Sequence, residues 1–183
     1  ENWLGEMLQV GQQKEVEMVG AKLYYPDDTI QHAGVVVGLG GVAAHVLCKL
    51  PRDAEGYMGR LRCVQEISAV TAACMMVKTS VFKAVGGFDE ELKVAFNDID
   101  LCMKVRKYGV KIVFTPYAEL YHYESKSRGM EDTPEKQLRF SREVNCFRRK
   151  WERELLKGDP YYNPNLTLNN TDCSLRKQEK NGD

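Results

Sequence analysis

Apolar residues first fall at helical spacing at Trp3, Leu4, Met7 and Leu8, which predicts an amphipathic helix over about the first dozen positions. The period then changes. "VEMVGAKLYY" and "TIQHAGVVVG" are β-rich and enclose the turn Pro26-Asp27-Asp28, so they predict a hairpin. "GLGGVAAHVLCKLPRDAEGYMG", from Gly38 to Gly59, is glycine-rich without a sustained period and predicts a long mobile loop. "ISAVTAACMMV" is a nearly unbroken apolar run, too short for a helix, and predicts one buried strand. A short helix over "TSVFKAV" should stop at Gly86-Gly87, and a second helix, opening at Asn97, at Gly109. "VKIVFTP" predicts a further strand.

Thr133 as cap and Pro134 at the first position then open a long helix. Its apolar stripe is Phe140, Val144, Phe147, Trp151 and Leu155, and Gly158-Asp159-Pro160 ends it. Residues 159–183 are polar and are expected to be loosely ordered. Strands alternating with helices predict an α/β domain with a mixed sheet flanked by helices, plus the long amphipathic helix at 131–158.

Composition narrows the class. The chain has 183 residues, enough for one sizeable domain, and 28% of them are charged, as in soluble globular proteins. Net charge is zero, so anion binding must come from a local cluster. The basic run "FRRKWER" fits the polar face of the last helix and lacks exposed aromatics, so no nucleic-acid partner is expected. Six cysteines at irregular spacing, with no CxxC pair, fit buried small hydrophobes in a reducing compartment. The sequence opens inside what reads as a helix, which suggests a fragment of something longer.

The candidate chemistry centres on "FNDIDLCMKVRKYG". Asn97 suits an N-cap, and Asp98 and Asp100 complement the positive end of the helix dipole, so capping alone accounts for them. Their setting adds something: the irregular stretch "VGGFDEELKVAF" would hold the helix start at a sheet edge, where ligands of α/β sheets collect. Asp98-Ile99-Asp100 imitates a D-x-D metal motif, but on a helix the two acids diverge by about 200° and cannot chelate together. His122, just beyond a strand, is a lone histidine and as such more often structural. His32 in a strand and His45 in the loop are weaker candidates still. Lys126 and Arg128 in "ESKSRG" are positioned to meet an anion, although solvated loop charges are commoner.

Four motifs in order, "VGAKLYYPDDTIQHAGVVVGLGG", "AVTAACMMVKTSVFKAVGGFDEEL", "FNDIDLCMKVRKYG" and "TPYAELYHYESKSRG", resemble the C-terminal half of the inverting family-2 glycosyltransferases of GT-A (Rossmann-like) fold, with the bacterial rhamnosyltransferase-like members nearest in pattern. The resemblance implies a partial GT-A domain over 1–130. It also implies transfer of a sugar from a nucleotide-diphospho-sugar donor to a glycan or lipid-linked saccharide acceptor. Asp98 matches the catalytic base, with Asn97 where relatives carry a glutamate. Gly87, Phe88 and Asp89 match a motif lining the substrate cleft, and Asn97 and Asp100 are counted with them as substrate-binding residues, Asp100 capping or orienting rather than reacting. His122 matches a ligand of the divalent metal. Lys126 and Arg128 match a loop closing over the donor diphosphate. The metal, Mn2+ or Mg2+ and tilted toward Mn2+ by an imidazole ligand, would be held mainly by a D-x-D segment that this sequence lacks.

A cytoplasmic location is implied, with peripheral placement at the inner membrane face left open. The fragment alone is expected to be inactive and prone to self-association, a homodimer included. The rival readings are a non-catalytic scaffold that keeps the fold, supported by Asn97, and a carbohydrate-binding module using Tyr117, Tyr121 and Tyr123.

Overall fold

The computed structural model describes residues 2–123 and 133–177. Its elements in chain order are α1 (Trp3–Gly11), β1 (Val16–Tyr24), β2 (Ile30–His32), β3 (Val35–Val37), β4 (Ala43–His45), β5 (Gln65–Glu66), β6 (Met75–Val77), α2 (Thr79–Ala84), α3 (Asn97–Lys107), β7 (Lys111–Tyr121), α4 (Pro134–Lys150) and α5 (Glu152–Lys157). Short 3-10 turns lie at Leu39–Gly41, Tyr57–Arg62 and Ala72–Cys74.

Two long strands organise the fold. β1 and β7 run parallel, from Val16 opposite Lys111 to Tyr24 opposite Tyr121. On its other edge β1 pairs antiparallel with β6 at Met18–Gly20 and with β2 at Leu23–Tyr24, while β5 closes the far edge of β7. The sheet is therefore mixed, as expected, and the hairpin through Pro26-Asp27-Asp28 forms with Tyr25 N–H bonded to the Thr29 carbonyl at 2.9 Å.

Side chains alternate along β1 and feed two cores. Val19, Ala21 and Leu23 pack with Met7 and Val10 of α1 on one face. Met18 and Tyr24 face the larger cluster, which α3 and α4 complete with Leu101, Val105 and Phe147. Gly20 is required between them: a Cβ there would stand 2.3 Å from the Val70 Cγ1, so only glycine lets the buried Ala69–Val70 segment cross the strand.

Four expectations need correction. The apolar run at 67–77 is not one strand. The successive amides of Thr71, Ala72 and Ala73 bond to side chains (His32, Asp98 and Thr71 itself), which breaks the ladder and leaves only Met75–Val77 as β6. The glycine-rich loop and the polar tail depart from expectation together, because each packs on the other. Leu47 N–H bonds to the Thr171 carbonyl at 2.6 Å and Gly40 N–H to the Leu168 carbonyl at 2.8 Å, while Val42, Val46, Leu47, Tyr162, Leu166 and Cys173 are all buried. Finally, the long helix is interrupted at Trp151, whose φ of −113° and ψ of 22° separate α4 from α5. Thr133 caps α4 as expected, accepting from the Lys136 N–H at 3.4 Å.

Candidate functional site

The start of α3 is set from outside the helix. Phe96, not Asn97, occupies the N-cap position, in the left-handed region at φ 64°, without a side-chain cap. That conformation costs a non-glycine residue about 1–2 kcal/mol. Three side chains of α4 hold it. The Phe96 ring lies 5.9 Å from that of Phe140 and 5.4 Å from that of Phe147, and the buried Glu143 carboxylate accepts from the Val94 and Ala95 N–H groups at 3.0 Å each. Asn97 instead turns its Oδ1 onto the Asp98 N–H at 2.7 Å.

Asp98 is half-buried, with one backbone donor on each carboxylate oxygen. Oδ1 accepts from the Ile99 N–H at 2.8 Å and Oδ2 from the Ala72 N–H at 3.0 Å. The preceding amide, Thr71 N–H, donates to His32 Nε2 at 3.4 Å. Asp98 and His32 thus grip neighbouring amides of one turn, at the end of the sheet where the parallel strands finish.

His32 is fully buried, and its Nδ1 meets His45 Nδ1 at 2.9 Å. Since Nε2 accepts from Thr71, the network assigns the His32 proton to Nδ1, which donates to His45. Burial, reinforced by the neighbouring imidazole of His45, holds the His32 pKa well below the ordinary histidine range, so the ring is neutral. Nothing in the pattern of "TIQHAG" separates this histidine from a surface one, because its partner arrives from another hairpin.

His122 follows β7, and its Nδ1 lies 2.9 Å from Gln31 Oε1 while Gln31 Nε2 donates to the His122 carbonyl at 3.3 Å. An amide oxygen can only accept, so Nδ1 carries a proton in this bond, and Nε2 is the ring nitrogen not engaged by Gln31. Among the described residues no three His, Cys, Asp or Glu side chains converge as a metal site. The described residues therefore form no metal site by themselves, and His122 offers one nitrogen ligand at most.

Asp100 points the other way along α3, as the helical geometry demands. It is fully buried: Oδ1 accepts from Trp151 Nε1 at 2.8 Å and from the Lys150 ammonium at 2.7 Å, and Lys104 Nζ stands 3.3 Å from Oδ2. Lys150 also bonds to Asp89, and Lys104 donates to the Gly87 carbonyl. Gly87, Asp89 and Asp100 are thus brought together, but through two lysines that lock the 86–92 bend onto α3 and α4. Asp100 is closed to a substrate, which corrects its placement in a substrate cleft. The Lys150 bond and then the Glu91 amide hold the Asp89 carboxyl below the usual carboxylate range. Phe88 is 46% exposed, its ring edge-on to Phe82 at 5.6 Å. Lys126 and Arg128 lie outside the described residues.

No family model matches the chain. Sequence comparison finds related proteins nonetheless. Over 175 residues, 95% of this chain, it is 57% identical to the uncharacterized protein y4gI of Sinorhizobium fredii, of which the match covers 19%. Over 183 residues, 100% of this chain, it is 39% identical to the O-antigen biosynthesis protein RfbC of Myxococcus xanthus, covering 14% of that protein. A stretch of 62 residues, 34% of the chain, is 36% identical to the N-acetylglucosaminyl-diphospho-decaprenol L-rhamnosyltransferase of Mycobacterium tuberculosis, covering 20% of it. The chain spans a fifth or less of the length of the first two of these curated relatives, and the shorter match covers a fifth of the third. Among the described residues no helix is long and apolar enough to cross a membrane.

Proposed function

We propose that this chain is the acceptor-side half of the catalytic domain of an inverting GT-A glycosyltransferase of family 2. It would move a sugar from a nucleotide-diphospho-sugar to a glycan or lipid-linked acceptor. The observation that carries this reading is the 39% identity along all 183 residues to a protein named for O-antigen biosynthesis, joined by the shorter match to an L-rhamnosyltransferase. The mixed α/β sheet and the half-buried carboxylate at the carboxyl end of its parallel strands support it.

In this reading Asp98 is the general base. Each carboxylate oxygen already accepts one backbone N–H, which fixes the group's orientation and leaves a lone pair for an acceptor hydroxyl. As the hydroxyl oxygen bonds to the anomeric carbon, its proton passes to Asp98. The bond from that carbon to the diphosphate oxygen breaks, and the nucleoside diphosphate leaves with the electron pair. Opposite-face attack inverts the anomeric centre. A divalent ion, Mn2+ or Mg2+, held in part by His122 Nε2, would supply Lewis-acid neutralisation of the diphosphate.

The non-catalytic scaffold has one observation in its favour: both Asp98 oxygens are occupied in fastening the Ala72 turn to α3. One experiment separates the two readings. In the full-length protein, assayed with nucleotide-sugar donors, Asp98→Asn should lower transfer by roughly 10²–10⁴-fold with donor binding retained. Unchanged transfer, or donor binding lost in proportion, would return Asp98 to a purely structural role.

A further inference from the structure

One cleft of the described chain lies away from Asp98. It has a volume of about 800 Å3, within the roughly 300–1,000 Å3 typical of ligand sites, and opens at the carboxyl end of the β1–β7 pair. An irregularity in β7 creates it. Ala21 pairs with Thr115 but the next residue, Lys22, pairs with Glu119, so Pro116, Tyr117 and Ala118 bulge out of the ladder. Pro116 and Tyr117 form an apolar wall. The Tyr117 ring, 59% exposed, is pinned by its hydroxyl to the Arg62 carbonyl at 3.2 Å.

The floor is polar and pre-ordered. Lys22 is only 4% exposed, yet the acceptor its ammonium has among the described residues is the Leu61 carbonyl, at a long 3.5 Å. Burial outweighs the nearby Glu119 charge and lowers the Lys22 pKa, the mark of an ammonium short of solvation. Across the ladder Glu119 is fixed by the Tyr24 hydroxyl on one oxygen and by Arg52, at 2.9 Å, on the other. Arg52 in turn lies over the Tyr24 ring at 4.6 Å. Each Glu119 oxygen keeps a lone pair, so the floor offers an underused donor beside an oriented acceptor.

From this arrangement we infer that the cleft is a saccharide subsite, with Lys22 and Glu119 binding adjacent hydroxyls of one sugar ring and Tyr117 covering its C–H face. A vicinal diol can accept from Lys22 and donate to Glu119 at once, which a bare anion cannot. The charge balance points the same way: the lining carries three bases (Lys22, Arg52, Arg62) and four acids (Asp27, Asp28, Asp53, Glu119), so an anion gains no net attraction. As a holding point for part of the acceptor glycan the cleft rests on the transferase reading; as a sugar-binding site it does not.

The test is a titration of the isotope-labelled chain with a panel of neutral methyl glycosides, with inorganic phosphate as control, followed by amide chemical shifts. At least one glycoside should shift the signals of Lys22, Tyr117 and Glu119 saturably while phosphate does not. Lys22→Met, matched in length and volume, and the rim variant Tyr117→Ala should each weaken that affinity by roughly tenfold. The proposal is overturned if no glycoside shifts these signals, if phosphate alone does, or if both variants bind like the parent. Asp98→Asn should leave the titration unchanged, and a chain that binds glycosides here yet belongs to a protein that transfers no sugar would defeat the transferase reading alone.

Discussion

Lys150 of α4 reaches the fully buried carboxylate of Asp100 on α3 at 2.7 Å, and the same ammonium bonds Asp89. Burial by itself would lower the Lys150 pKa, but the bonds to Asp100 and Asp89 outweigh it and leave the amine more basic than usual. One cation thus joins the bend after α2, the start of α3 and the end of α4.

Removing the shared anion should be costly. Asp100→Ala takes one of two carboxylates from Lys150, which keeps Asp89, and the anion beside Lys104, which keeps the Gly87 carbonyl, and it leaves the Trp151 Nε1–H without its acceptor, so a loss of about 1–3 kcal/mol is expected. Urea unfolding of the parent and the variant measures it. A change below about 1 kcal/mol would mean that the cluster contributes little.

Glycine at position 20 makes a sharper steric prediction. Gly20→Ala drives its methyl into Val70, which is fully buried, and should destabilise by about 1–3 kcal/mol or more. The pairing of Gly20→Ala with Val70→Ala should recover part of that loss, and a double-mutant cycle in thermal unfolding reads the coupling. Strictly additive losses would count against the contact.

Acid should loosen the turn beside Asp98. The unfolded chain protonates His32 near its ordinary value of 6.5, whereas the folded chain does so only at much lower pH. Below about pH 6.5 the unfolded state therefore binds more protons, and stability falls as pH drops, by up to about 1.4 kcal/mol per pH unit until the folded pKa is reached. Protonation also turns Nε2 into a donor facing the Thr71 N–H. Melting temperatures of the parent and His32→Gln across pH 5–7.5 test this; the variant should show the shallower slope.

His122 can be probed in the full-length protein. His122→Ala should raise the concentration of divalent metal needed for half-maximal transfer, and Gln31→Ala, which frees the ring to rotate, should do so more weakly. An unaltered metal requirement in both variants would remove His122 from the site.

Local pattern made much of this fold legible. The hairpin at Pro26-Asp27-Asp28, the helix stops at Gly86-Gly87 and Gly109, and the Thr133-Pro134 helix start all follow from backbone preferences that neighbouring residues set by themselves. Long-range partners were not legible. Asn97 has the chemistry of a cap, but Phe96 takes the position because Glu143 and two phenylalanines of α4 force the chain into it. The polar tail looks dispensable until its Leu168 and Thr171 carbonyls are seen receiving amides from the glycine-rich loop. The lysine amid apolar neighbours in "VGAKLYY" was the one sequence clue to the cleft beside Tyr117, and its meaning depends on a β7 irregularity that no periodicity reports.

The parallel ladder also dictates an order of events as the polypeptide emerges. β1 has its full-length neighbour only in β7, which begins at Lys111, and the hairpin partners cover just one of its edges. Until that late segment is synthesised, the row of amides and carbonyls from Val16 to Tyr24 lies open beside strongly apolar side chains, an invitation to pair with a stranger. Loop closure across the intervening residues makes docking of β7 the slow event. Truncation before Tyr121 should therefore yield not a smaller folded unit but a sticky intermediate that chaperones must shelter.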